Sequence, residues 1–184
     1  MSKVLIVVDF QNDFITGVLG TPEARAIAPG VITKIREFAD NGDGIIFTAD
    51  FHFENSAYSV EDRSIPRHCI NGTDGERIYG GIDEEIITGS DGAGEDLFFK
   101  SSVPRGILPK MAFGIRYWDS FEHLSEIEIC GLCTDICVVS NALILRTMFP
   151  AAKITVHADL CAGTTPEKHR AALEVMKSCL IEVV

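Results

Sequence analysis

Positive charge is scarce in this chain. Its 184 residues carry 16 Lys and Arg against 27 Asp and Glu, a formal net charge of -11. Nucleic-acid phosphates are bound by clustered Lys and Arg, so nucleic acid is not an expected partner. The same deficit argues against adhesion to an anionic membrane surface. No segment approaches the roughly 20 consecutive apolar residues of a spanning helix. The first apolar run, Val4 to Val8, meets Asp9 after five residues, too short for the core of a signal peptide. A cytoplasmic protein is therefore expected. Internal repeats, linkers and low-complexity segments are also missing, and a hydrophobic content of 46% leaves little room for disorder. These features predict one domain over residues 1–184 with a sizeable core.

What is present alternates between strand-like and helix-like stretches. Val4 to Val8 is a short apolar run of the kind that forms a strand buried on both faces. Val31, Ile32, Ile35, Phe38 and Ala39 follow Pro29-Gly30 at helical spacing, and Asn41-Gly42 ends that pattern. Gly44 to Ala49 reads as the next strand. Residues 51–95 are irregular and rich in Gly, Asp and Asn, which in a compact domain points to a functional loop. Leu97-Phe98-Phe99 and Ile107-Leu108 read as short strands, and Trp118 to Leu124 as a brief helix. Regular alternation then resumes with a strand over Glu126 to Cys130 and a helix over Cys137 to Met148. A strand over Ile154 to His157 follows. Thr165-Pro166 caps and opens a helix whose Ala172, Leu173, Met176 and Cys179 should face the sheet. Leu180 to Val184 closes the pattern. Such alternation predicts an α/β fold, a mostly parallel sheet covered on both sides by helices.

In such sheets ligands collect at the carboxyl ends of strands. Asp9, Asp50, His52, the turn Gly131 to Cys137 and Asp159 are all read at such ends. Cys137 draws attention because helical N–H groups would favour its thiolate. Backbone N–H groups of the turn would meet charge developing on an attacked carbonyl. The competing reading is a core cysteine that merely opens an apolar helix.

The other cysteines, at 69, 130, 133, 161 and 179, read as free thiols, since a disulfide framework is not expected in an intracellular chain of this size. Cys130-Gly131-Leu132-Cys133 has redox-pair spacing, but Cys130 lies inside a predicted strand. A metal or iron–sulfur site from Cys130, Cys133 and Cys137 lacks a fourth clustered thiol. Neither reading gives Asp9 a task. A nucleophilic cysteine needs a base and an electrostatic partner. Asp9 suits the first role, and either Lys110 or Lys100 suits the second.

Val4 to Asp9, followed by Phe10-Gln11-Asn12-Asp13-Phe14, resembles the opening of the isochorismatase-like cysteine hydrolases. Gly131 to Val138 resembles their nucleophile turn, and the likeness extends through Asp159 and Thr164-Thr165-Pro166. The resemblance implies a three-layer α/β/α fold with a mostly parallel six-stranded sheet and an Asp-Lys-Cys triad. Carried over, Cys137 is the nucleophile and Asp9 the acid/base. Lys110 is the lysine because Lys110 with Phe113-Gly114 resembles the family's segment, with Lys100 as the alternative. A cis Leu132–Cys133 bond is implied too, with the backbone N–H groups of Cys133 and Cys137 as the oxyanion site.

Asp50, His52 and His68, the last in Ile65-Pro66-Arg67-His68-Cys69, resemble the metal ligands of the nicotinamidase branch, with Glu61 as a further ligand. The resemblance implies a divalent ion, zinc first and manganese or iron next, and the mixed donor set suits a borderline or hard ion. In that branch the metal holds the pyridine nitrogen of nicotinamide. Phe14, Ile65 and Leu132 would line the substrate pocket. Ile65 is a departure, because the branch often has a Trp there to stack on the ring. The implied activity is nicotinamide hydrolysis in a homo-oligomeric enzyme. The alternatives are a cysteine hydrolase of another small amide or carbamoyl compound, or a non-catalytic oligomeric binding protein.

Overall fold

The computed structural model describes residues 2–57, 59–82, 86–87, 103–121 and 124–184. Its six strands are β1 (Ser2–Val8), β2 (Gly44–Asp50), β3 (Arg105–Lys110), β4 (Leu124–Leu132), β5 (Lys153–Ala162) and β6 (Glu182–Val183). They lie in the order β3-β2-β1-β4-β5-β6, and every pairing between them is parallel.

Val4 to Val8 are fully buried because both faces of β1 are covered. Leu5 and Val7 join Ile45 and Phe47 in one core, closed by Val31, Ile35 and Phe38 of helix α2 (Pro22–Asp40), which follows the short helix α1 (Asn12–Ile15). Val4, Ile6 and Val8 join Ile127 and Ile129 in the other core. That core is closed by α4 (Val139–Met148) and α5 (Pro166–Ser178); α3 is the single turn Val60–Ser64. The three-layer α/β/α expectation holds.

Strand order reverses at β1, with β2 and β3 on one side and β4, β5 and β6 on the other. Chain leaving β1 and chain leaving β4 therefore depart to opposite faces and open a crevice at the carboxyl edge. Asp9, Asp50, Lys110 and the turn after Leu132 lie along that edge.

Several local readings are corrected. Helix α2 starts at Pro22, not after Pro29-Gly30: Thr21 accepts from the Ala24 N–H and Pro22 takes the first turn. Pro29 lies inside the helix without an N–H to donate. A Cβ at Gly30 would stand 2.7 Å from Leu160 Cδ2, so glycine lets the helix settle on β5. Where the sequence predicts a helix over Trp118 to Leu124, the described residues hold one 3-10 turn (Trp118–Ser120), and Leu124 already belongs to β4. Asp159 is not at a strand end. It rides a bulge of β5 between the pairs Ile129–Val156 and Gly131–Cys161, and it is exposed. Cys179 is the half-buried C-cap of α5, and Leu180 precedes the last strand with a φ of 59°. All six cysteines are free. Leu97-Phe98-Phe99 and Lys100 lie outside the described residues.

Candidate active site and metal centre

β1 hands over to Asp9, whose φ of 45° turns the chain out of the sheet. Its backbone N–H still bonds Thr48 O at 3.1 Å, and Thr48 Oγ1 donates to Asp9 Oδ1 at 2.6 Å. Lys110 is the register partner of Asp50 across β2 and β3, so its side chain arrives beside both carboxylates. Lys110 Nζ is 2.7 Å from Asp9 Oδ2, 3.3 Å from Asp50 Oδ1 and 3.5 Å from Cys137 Sγ. Asp9, Lys110 and Cys137 are all buried. Asp9 Oδ2 is buried, with the Lys110 ammonium 2.7 Å away.

Burial dominates the electrostatics here. It pushes the Asp9 carboxyl up, Lys110 opposes it and Asp50 adds to it. Burial alone would lower Lys110, but Asp9, Cys137 and Asp50 outweigh it and hold the ammonium charged. The expectation of a favoured Cys137 thiolate is reversed. Burial and then Asp9 push the thiol well above its ordinary value, with only Lys110 prominent on the other side. Cys137 lies in the π-helical turn Thr134–Val138, which runs directly into α4. A resting thiol therefore needs a base.

The turn that carries Cys137 is pinned from three sides. Thr134 Oγ1 meets His169 Nδ1 at 2.8 Å. Asp135 accepts from the Thr164 N–H at 2.7 Å and its hydroxyl at 2.6 Å. Asn141 Nδ2 donates to Cys137 O at 2.9 Å, while its Oδ1 accepts from the Ile115 N–H and from Trp118 Nε1. The Leu132–Cys133 bond is cis, as the resemblance implies.

Gly131 approaches β1 so closely that an added Cβ would lie 2.1 Å from Val8 O, and its φ is 117°. Gly131→Ala should cost about 3 kcal/mol, combining overpacking with an unfavourable backbone conformation. An unchanged urea midpoint would contradict that close approach.

Beside this trio, one ligand atom each from Asp50, His52, Glu61 and His68 lie within 4.8 Å of one another. Asp50 Oδ2 is 3.1 Å from His52 Nε2 and 2.9 Å from His68 Nε2, and Glu61 Oε1 is 3.8 Å from His68 Nε2. The far ring nitrogens are held: His52 Nδ1 by Asp62 Oδ1 at 3.0 Å, and His68 Nδ1 by Pro66 O at 2.7 Å. Both imidazoles thus present Nε2 inward, as metal ligands do when an outer partner fixes the ring. Burial would push Asp50 up, but hydrogen bonds from His52 and His68 hold it well below the usual carboxylate range. Asp50, foremost among its partners, raises His52 to about 9. The donor set, two imidazole nitrogens and two carboxylates, fits a divalent ion.

Asp50 belongs to both clusters, with Oδ1 toward Lys110 and Oδ2 toward the imidazoles. Phe14 packs edge-on against His68, with centroids 5.4 Å apart. A pocket lined by Phe53, Ile65 and Ile70 opens beside His52, Glu61 and His68. Leu132 is buried in the α2-side core, and Cys133 is half-buried.

Sequence reasoning missed the buried amides. Gln11 Oε1 accepts from the Asp50 N–H at 2.7 Å, and its Nε2 donates to Asp50 O at 2.9 Å, extending the sheet's ladder where β1 has ended. Asp13 accepts from the Cys69 N–H at 2.8 Å and fastens the His68 segment to α1.

Fold and site together define an α/β/α protein in which a buried Asp–Lys–Cys cluster adjoins a candidate metal centre. The family model of the isochorismatase domain matches residues 3–88 and 121–184. The chain belongs to the isochorismatase-like hydrolase family. It is 28% identical over 192 residues to the nicotinamidase/pyrazinamidase of Mycobacterium tuberculosis, spanning 99% of this chain and 98% of that one. The crystal structure of a Bacillus subtilis nicotinamidase/pyrazinamidase is 29% identical with a TM-score of 0.78, covering 100% of both chains. The Pyrococcus horikoshii pyrazinamidase in complex with zinc is 28% identical with a TM-score of 0.77, covering 100% of this chain and 99% of its own. Lys110 falls between the two segments matched by the family model, so its placement beside Asp9 is a matter of geometry alone. Among the described residues, no helix is long and apolar enough to cross a membrane.

Proposed function

We propose that residues 1–184 act as a single cysteine hydrolase domain and that the chain is a metal-dependent nicotinamidase. One observation carries this reading: a single ammonium, Lys110 Nζ, contacts Asp9, Cys137 and the metal-cluster carboxylate Asp50. Asp9 takes the Cys137 proton as Sγ attacks the carboxamide carbon. The backbone N–H groups of Cys133 and Cys137 receive the oxyanion. Asp9 then delivers the proton to departing ammonia, leaving a thioester. Asp9 next draws a proton from water as it attacks the thioester, and returns that proton to the Cys137 sulfur as the acid leaves. Lys110 keeps Asp9 oriented and offsets its charge. Asp50, His52, Glu61 and His68 would hold the divalent ion, zinc first among the choices, which would supply a Lewis acid for the pyridine nitrogen.

Asp9 must be ionised for the first step while Cys137 still holds its proton. Because burial raises Asp9 above its ordinary 3.8, kcat/KM should fall as pH drops through a value higher than that of a free carboxylate. An acid limb at the ordinary carboxylate value would remove Asp9 as the controlling base.

A second reading draws on Ile65, which lines the pocket where an aromatic ring would stack on nicotinamide. An aliphatic wall suits another small amide or a carbamoyl compound. The deciding experiment is ammonia release from nicotinamide and from carbamoyl amino acids, with metal content determined on the same sample. Turnover of nicotinamide by metal-loaded protein supports the first reading. Turnover only of the carbamoyl compounds selects the second, and neither activity would defeat both.

A further inference from the structure

We infer that Asp62, outside the four candidate ligands, is a positioning residue that sets the metal affinity of the site by holding His52. The inference rests on the metal reading of Asp50, His52, Glu61 and His68. Asp62 Oδ1 faces His52 Nδ1 at 3.0 Å, and this contact turns Nε2 toward Asp50 Oδ2. The other oxygen, Oδ2, accepts from Ser56 Oγ and from the Ser59 N–H, both at 2.8 Å. The Asp62 N–H in turn donates to Ser59 Oγ at 3.0 Å, which completes a capping box at the start of α3. The carboxylate is therefore clamped in direction by its own loop, and only 6% of its side chain is exposed.

Both Asp62 oxygens act as acceptors, and an asparagine has only one. Asp62→Asn must either face His52 with its oxygen and set an amide N–H against the Ser59 N–H, or keep the cap and turn an N–H donor toward His52 Nδ1. The second arrangement favours the tautomer with the proton on Nε2, which cannot bind a metal. In the native protein, by contrast, the carboxylate keeps the proton on Nδ1 and raises the basicity of Nε2.

The test is zinc affinity by competition with a chromophoric chelator, alongside 15N shifts of the imidazoles. Asp62→Asn should weaken zinc binding roughly ten- to hundred-fold, the usual effect of removing such an outer partner, and should move the His52 tautomer toward Nε2–H. Ser59→Ala, which removes only the hydroxyl half of the cap, should keep the wild-type affinity and tautomer. Equal losses in the two variants would reduce Asp62 to a helix cap and overturn the inference, as would wild-type affinity in Asp62→Asn. If the wild-type protein binds no divalent ion, the metal reading falls and this inference falls with it.

Discussion

Lys110→Met is expected to damage stability and activity together. The methionine keeps most of the length and apolar volume but leaves Asp9 and Asp50 buried without their shared cation, which is 2.7 Å from one and 3.3 Å from the other. Removing one partner of a buried ion pair costs about 3 to 5 kcal/mol. The loss should depend on pH, and its sign follows from Asp9. Burial and Asp50 already raise its folded pKa above the unfolded value, and Lys110 is the main opposing influence. Without the lysine the folded pKa climbs further, so the folded state of the variant favours the protonated acid. Its stability is then greatest relative to wild type at low pH and declines as pH rises through the raised value. Urea titrations at pH 5 and pH 8 should show the larger deficit at pH 8. With its pKa raised further and its orienting cation gone, Asp9 is a poorer base, and ammonia release should fall by about 10³-fold or more, within the range for general base and electrostatic contributions combined. Wild-type stability and turnover in Lys110→Met would direct attention to Lys100 instead.

Most of the sheet was legible because its strands are short apolar runs bounded by polar residues. Val4 to Val8 could be read as buried on both sides, and burial proved complete. Thr165-Pro166 announced α5 through local chemistry alone. Helix α2 was harder. Pro29-Gly30 has the local character of a break, and only the packing of Gly30 against Leu160 shows why the helix runs through it. The arrival of Lys110 beside Asp50 likewise depends on register, since the two pair across strands distant in sequence. Buried amides such as Gln11 and Asn141 carry no periodic signal: their meaning lies in the backbone groups that folding brings to them. The state of Cys137 was misread for a related reason. Spacing suggested a helix dipole acting on the sulfur, whereas its desolvation and the two nearby carboxylates are visible only in three dimensions. The metal-cluster residues were named by resemblance rather than by pattern, because four residues spread over a strand end, a helical turn and the loops between positions 50 and 68 have no spacing rule of their own.

Cys137→Ala should separate chemistry from architecture. The side chain is buried among apolar neighbours that include Ile136, Val138 and Ala142. Deleting one sulfur leaves a small cavity, and the cost should be about 1 kcal/mol or less, well below that of larger core truncations. The turn keeps its other anchors, since Asn141 bonds the Cys137 carbonyl and Thr134 and Asp135 reach α5 and its preceding loop. Metal binding should also survive, because Cys137 supplies none of the four donors. Turnover should not. Loss of the nucleophile from a concerted unit removes about 10⁶-fold in kcat, leaving what binding and the oxyanion site provide. Mass spectrometry of quenched wild-type reactions should reveal an acyl adduct that the alanine variant never forms. Full turnover with normal metal content in Cys137→Ala would exclude the thioester route and return Cys137 to the role of a core residue. An inactive variant that retains fold and metal would tie the lost chemistry to the sulfur, whose thiol pKa is raised by burial and by Asp9.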